Sequence, residues 1–413
     1  MFHRTIAIIF PARQAANKEN PVNSLETELL TAAREDRLLG HVYEQRLADR
    51  DERDQLSEEL PRLHNEGKID IVSAFGKLKN DNHSPDFILT RDILEKILPR
   101  IEAPMPEVME CVLHLFHEAG KVLAAGSILT PYTDFCAANA DRPKDAIGLI
   151  DASGDKLAGL LTPSLVAGSR MDAEYYLNEA IRLSAHRDAV IKKEALFSLG
   201  RLEYPEEGGL PEKALATLEQ AIGEENDSLM ANVIDSAFGL YKKRKSMENR
   251  VTGLIDTALA KGGDFALYAA SQILFRGGKE IPGPLLDKLL LHLRRVNPSH
   301  KGILMYIDYG LEKLLAGENQ EQAIGFIEDL LTANAEIEPM KKVARMSRNH
   351  RYLLLNWFLA EKRFSSGIVE DFNNKVKLTT RKAYGFRTYH GVEIALYHAL
   401  GNLPVPKSTH EFF

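Results

Sequence analysis

The sequence predicts an all-α protein: a HEAT-like α-solenoid of antiparallel helix pairs, followed by a helical or irregular basic tail. Three observations support this. Apolar residues recur at helical spacing in four segments that start 36–39 residues apart. Further apolar stripes of the same period lie between those segments. Nowhere do strand and helix patterns alternate in the β-α-β order of a nucleotide-binding sheet.

From the N-terminus, Asn23 followed by Glu26 reads as a capping box, opening a charged helix through about residue 35. A second, more charged helix is expected near 41–60. Residues 62–90 mix Gly, Asn, His and Pro without period and read as a long loop. Together these form an expected region 1–100 of charged helices and loop. The repeat domain is expected over 101–334. Within it, 107–124 and 143–161 read as helices, and 172–184 as the partner of the first clear repeat segment.

The four repeat segments are DAVIKKEALFSL from Asp188, DSLMANVIDSAF from Asp227, DFALYAASQILF from Asp264 and HKGILMYIDYGL from His300. Three places on, each has an apolar residue: Ile191, Met230, Leu267 and Ile303. Seven places on stand Ala195, Ile234, Ser271 and Ile307, and eleven on, Leu199, Phe238, Phe275 and Leu311. These positions share one face of a helix. Between the segments run Leu215–Leu218–Ile222, Val251–Leu254–Ile255–Leu259, Leu286–Leu289–Leu290–Leu293 and Ile324–Ile327–Leu330–Leu331. Gly and Pro mark the joints, as at Gly208-Gly209, Gly262-Gly263, Pro282 and Pro298. Short joints between amphipathic helices make antiparallel pairs. A two-helix unit of this length belongs to the HEAT, armadillo or TPR kind of array, and the TPR signature is missing.

With 413 residues, 44% apolar and 27% charged, the chain has room for two or three domains or one extended array. Two cysteines, Cys111 and Cys136, make neither a disulfide framework nor a four-cysteine zinc site. The N-terminal apolar run, Ile6–Phe10, is too short for a signal-peptide core. No stretch approaches the roughly 20 apolar residues of a membrane span. The expectation is a cytoplasmic protein with no membrane partner. Its oligomeric state is not specified.

The body offers little chemistry. Cys111, His114 and His117 sit three apart on one expected helix, but their spacing differs from a metal-binding pair four apart and no further ligand motif is near. The amphipathic helix is the stronger reading. Asp188, Asp227 and Asp264 each start a helix, where capping explains them at roughly 1 kcal/mol apiece. No phosphate-binding or nucleophile motif appears. A repeat array without such motifs binds a partner, here another protein along the repeat.

The charge is divided unevenly. Residues 337–413 hold 13 Lys+Arg and 6 Asp+Glu, a net of +7, against −7 for the whole chain and hence −14 for 1–336. Lys341, Lys342, Arg345, Arg348 and Arg351 are spaced to share much of one side of a helix. Trp357, the single tryptophan, follows in an apolar segment. Beyond it lie Lys375, Lys377, Arg381, Lys382 and Arg387, interleaved with Tyr384, Phe386 and Tyr389. This pattern fits phosphate contact with DNA. It fits equally a solvated basic face, or one packed on the acidic body.

Four stretches of this tail occur together in order: LLLNWF (353–358), SSGIVEDFNNKVK (365–377), TTRKAYGFRTYHGVEIALYHALG (379–401) and LPVPKSTHEFF (403–413). In them the tail resembles the C-terminal end of DDE transposases of bacterial insertion sequences, the ISL-three type. The resemblance implies a ribonuclease-H-like core in which three carboxylates hold two divalent metals for in-line attack on phosphate. By the same resemblance Glu370 is the last of the three acids, and magnesium the cofactor if the activity holds. Asp371 stands where the family has glycine. The first two acids of the family lie on upstream core strands, which residues 1–336 do not show. One acid of three is identifiable, so enzyme activity stays open. The expectation is a non-catalytic interaction scaffold joined to a truncated transposase C-terminal segment, 337–413. The alternative is a transposase-family protein acting in DNA transposition.

Overall fold

The computed structural model describes residues 21–333, apart from short stretches at 48–49, 82–85, 121–126, 224–225, 298 and 316–318. Readings that concern 334–413 lie outside the described residues. Every element among the described residues is an α- or 3-10 helix, so the all-α expectation holds. None of these helices is long and apolar enough to cross a membrane.

The N-terminal region differs from its reading in three ways. Helix α1 runs Pro21–Arg34, so Asn23 lies inside it and does not cap it. The expected helix near 41–60 is two helices, α2 (Leu38–Arg46) and α3 (Arg50–Asn65). The expected loop 62–90 holds the end of α3, a short α4 (Ile71–Phe75) and the start of α5 (Phe87–Ile97). Asp70 caps α4 by accepting from Ser73 N at 3.0 Å, and Asp86 caps α5 through Leu89 N at 2.9 Å. The apolar stripe of α3 was hidden among charges, yet Leu56, Leu60 and Leu63 are fully buried. Its charges reach neighbouring elements: Arg62 pairs with Glu26 of α1, besides Glu59 of its own helix, and Arg100 grips both oxygens of Glu58. Such exposed pairs, screened by water, add little to stability.

The chain continues as α6 (Met105–Ala119), α7 (Leu129–Ala137), α8 (Arg142–Ser153), α9 (Leu161–Ser169), α10 (Ala173–Ser184), α11 (Ala189–Leu199), α12 (Leu210–Ala221), α13 (Asp227–Lys243), α14 (Glu248–Lys261) and α15 (Asp264–Gly277). Then come α16 (Gly283–Leu293), α17 (Lys301–Leu315) and α18 (Gln320–Ala333). The expected helix 143–161 is α8 followed by a 3-10 turn, Gly154–Leu160. Two compact units divide after Ala269, within α15.

In the first unit, successive helices pack as hairpins: α8 with α9, α10 with α11, α12 with α13. The second helices also lie side by side, α7 on α9, α9 on α11 and α11 on α13. Several hydrogen bonds join residues 35–39 positions apart. Arg62 reaches Glu26 36 positions back, Asn80 meets Glu118 38 away, and Arg170 meets Asp134 36 away. Lys213 to Asn178 spans 35 positions, Asn232 to Lys193 O 39, and Lys261 to Ile222 O 39. Bonds of this span occur from Glu26 onward, well before the segments in which the sequence shows a period.

The apolar code of the repeats is the core. Ile191, Ala195, Leu199, Met230, Ile234 and Phe238 are buried. In the second unit Ile303, Ile307 and Leu311 are buried, while Phe275 is only half-buried. There α17 packs on α18 and α16 on α18. Gln322 donates to Asp287 at 2.6 Å, and Lys313 donates to Phe275 O at 2.7 Å.

Candidate interaction surface

The residues proposed for DNA contact (Lys341, Lys342, Arg345, Arg348, Lys375, Lys377, Arg381, Lys382, Arg387) and the acid Glu370 all lie outside the described residues. Cys111 is buried, and burial pushes its thiol up to about 12. His114 Nε2 is bonded to Leu78 O at 2.7 Å. Among the described residues no three His, Cys, Asp or Glu side chains converge as metal ligands.

What the fold does build is a continuous face on the second helices of the first unit. Helices α11 and α13 approach closely through two glycines. A Cβ on Gly200 would lie 2.5 Å from the Ser236 backbone, and one on Gly239 would lie 2.5 Å from Gly200 O. The close approach lets side chains of α13 reach carbonyls of α11. Asn232 donates to Lys193 O at 2.8 Å, and Ser236 Oγ to Leu196 O at 2.8 Å. These bonds use polar side chains that would otherwise lose water without compensation.

Along the rim, the Arg201 guanidinium lies 3.3 Å over the Phe197 ring and pairs with Asp235 at 2.5 Å. Thr162 Oγ1 donates to Glu194 Oε2 at 2.9 Å. Burial raises the Glu194 carboxyl above the ordinary range, and the Thr162 hydroxyl, Arg201 and Lys193 only partly oppose it.

Asp227 has an unexpected role. Asn226 caps α13 by accepting from Leu229 N, so Asp227 is not needed there. Its carboxylate instead accepts from Gly263 N (2.6 Å), Phe265 N (2.9 Å) and Ala266 N (3.1 Å), capping α15 one repeat on. Asp188, by contrast, caps its own helix through Val190 N at 2.8 Å. The turn that Asp227 fixes presents Phe265, 61% exposed, and Tyr268, 38% exposed. Sequence reasoning missed this pair. Its signal was two aromatics one and four places into the repeat, where α11 has Ala189 and Lys192 and α13 has Ser228 and Ala231.

Residues 304–395 match a transposase family, the DDE transposases of the ISL-three type. The match covers less than a quarter of the chain. It overlaps the tail from 337, and it also takes in most of α17 and all of α18. No curated protein matches the chain.

Proposed function

We propose that this chain is a non-catalytic helical-repeat scaffold, HEAT-like in its stacking, that binds another protein and bears a stretch of transposase-type sequence. The observation that supports this most is the exposed Phe265–Tyr268 pair on the first turn of α15, whose start donates three backbone hydrogen bonds to the Asp227 carboxylate. Aromatic rings on a rigid support bury about 150–250 Å² each and dominate protein interfaces. The nearest-neighbour hydrogen bonds, 35–39 positions apart, support the repeat reading. The test is quantitative affinity capture with the whole chain against Phe265→Ser/Tyr268→Ser. A protein retained by the first and lost with the second is the expected result. Identical capture by both would contradict the reading.

The match at 304–395 favours a second reading, a transposase-family role in DNA transposition. Here Glu370 is the surviving acid, magnesium the metal, and the basic residues from Lys341 to Arg387 contact DNA. Two metal ions in such a site need several oxygens in fixed geometry. The described residues bring no such ligand group together.

A further inference from the structure

One imidazole holds the joint between α3 and α4. His64 stands in the last turn of α3, and its Nδ1 lies 3.2 Å from Ile69 O and 3.2 Å from Ile71 N. A single ring nitrogen cannot serve both. As an acceptor it takes the N–H of Ile71, the first residue of α4; as a donor it serves the Ile69 carbonyl. Ile71 is fully buried, so its N–H needs an acceptor. A carbonyl is more readily left short of a partner than a buried N–H. The neutral ring therefore keeps its proton on Nε2 and accepts from Ile71. Nε2 is itself buried and meets no partner among the described residues. A buried polar atom left in this way calls for an explanation.

We propose that His64 is a proton-operated latch on α4. A proton taken from solvent goes to Nδ1, which turns from acceptor to donor. The bond from Ile71 N breaks, and a bond to Ile69 O forms. Imidazole is the side chain that changes charge between about pH 5 and pH 8. Little else fastens the start of α4, a helix of five residues whose cap is a single bond from Ser73 N to Asp70. On its other side α4 packs on α6, where the two wall a cavity of about 520 Å³ that includes Cys111 and His114. Releasing Ile71 loosens that wall. The charged groups beside the ring are Lys68, Asp70, Glu102 and Glu107, around a second cavity of about 440 Å³. Glu26 of α1 and Glu66 both pair with Lys68 and with Arg62. On α2, His41 lies 3.7 Å from Glu28, and Arg100, just past α5, is held by Glu58. The inference rests on this joint alone and is independent of the scaffold reading.

Hydrogen exchange read by mass spectrometry on the full chain tests it, at about pH 7.5 and about pH 5, with each rate taken relative to the intrinsic rate at that pH. Amides of 71–76 should lose at least about tenfold of their protection at the lower pH, while α11 and α13 keep theirs. In His64→Asn, whose amide oxygen accepts without titrating, the pH difference should vanish. In His114→Gln, which can still donate to Leu78 O, it should remain. If His64→Asn fails to fold, the native chain and His114→Gln still decide. Equal protection of 71–76 at both pH values in the native chain would overturn the proposal. So would a loss shared equally by α13, an undiminished loss in His64→Asn, or a loss that disappears in His114→Gln.

Discussion

Helices α13 and α17 bury corresponding apolar positions, but among the described helices α17 and α18 alone overlap the transposase match. Ile303, Ile307 and Leu311 of α17 are buried as Met230, Ile234 and Phe238 of α13 are. Yet α17 and α18 fall within the transposase match, and the earlier helices do not. A boundary drawn by family relationship therefore cuts into α17, where a boundary drawn by packing would not. The family match is a likeness of sequence; the buried stripe shows what the helix does in the folded chain.

The sharpest way to break this comparison is to empty the two stripes in turn. Phe238→Ala should destabilise the first unit by about 3–5 kcal/mol, and Ile307→Ala the second by about 2–5 kcal/mol. Urea unfolding followed by a probe in each unit reads both. If Ile307→Ala costs nothing, the family-matched helices are not part of a packed core. Next in size is Gly200→Ala, for which the Ser236 backbone leaves no room; overpacking of this kind costs about 1–3 kcal/mol. An unchanged midpoint would show that α11 and α13 can separate freely.

A smaller effect is set by pH. Burial raises the Glu194 carboxyl above its ordinary value, so between the unfolded and folded values the folded chain binds more protons than the unfolded one. Stability from this group is full below the ordinary carboxyl range and is lost as pH rises through the folded value. Glu194→Gln should therefore raise the melting temperature at neutral pH more than at pH 4, since Thr162 can still donate to the amide oxygen. An equal shift at both pH values would contradict the assignment. The weakest effect concerns DNA. The full chain should bind duplex DNA weakly, with affinity falling steeply as salt rises, and Arg345→Glu should weaken it further. Salt-independent or sequence-selective binding would favour the transposition reading.

Much of this was legible from residue 188 onward, because Ile191, Met230, Leu267 and Ile303 recur at the same place of four similar segments. Before that, the same architecture was hidden. Leu56, Leu60 and Leu63 hold a buried stripe inside RDERDQLSEELPRLHN, where charges serving cross-repeat pairs mask the period. The five residues of α4 are too few for any period to show. The interaction surface was not legible either. Asp227 looked like a cap for its own helix, and only the fold shows that its partner is the next one. Phe265 and Tyr268 read as ordinary apolar residues until their exposure is known.

Under the proposed reading, the chain is a scaffold that carries transposase-type sequence and does not cut DNA. The direct measurement is a plasmid-nicking assay on the purified full chain with Mg²⁺ or Mn²⁺. The account predicts no metal-dependent cleavage, with wild type and Glu370→Ala indistinguishable from buffer. Nicking that requires the metal and disappears in Glu370→Ala would contradict it.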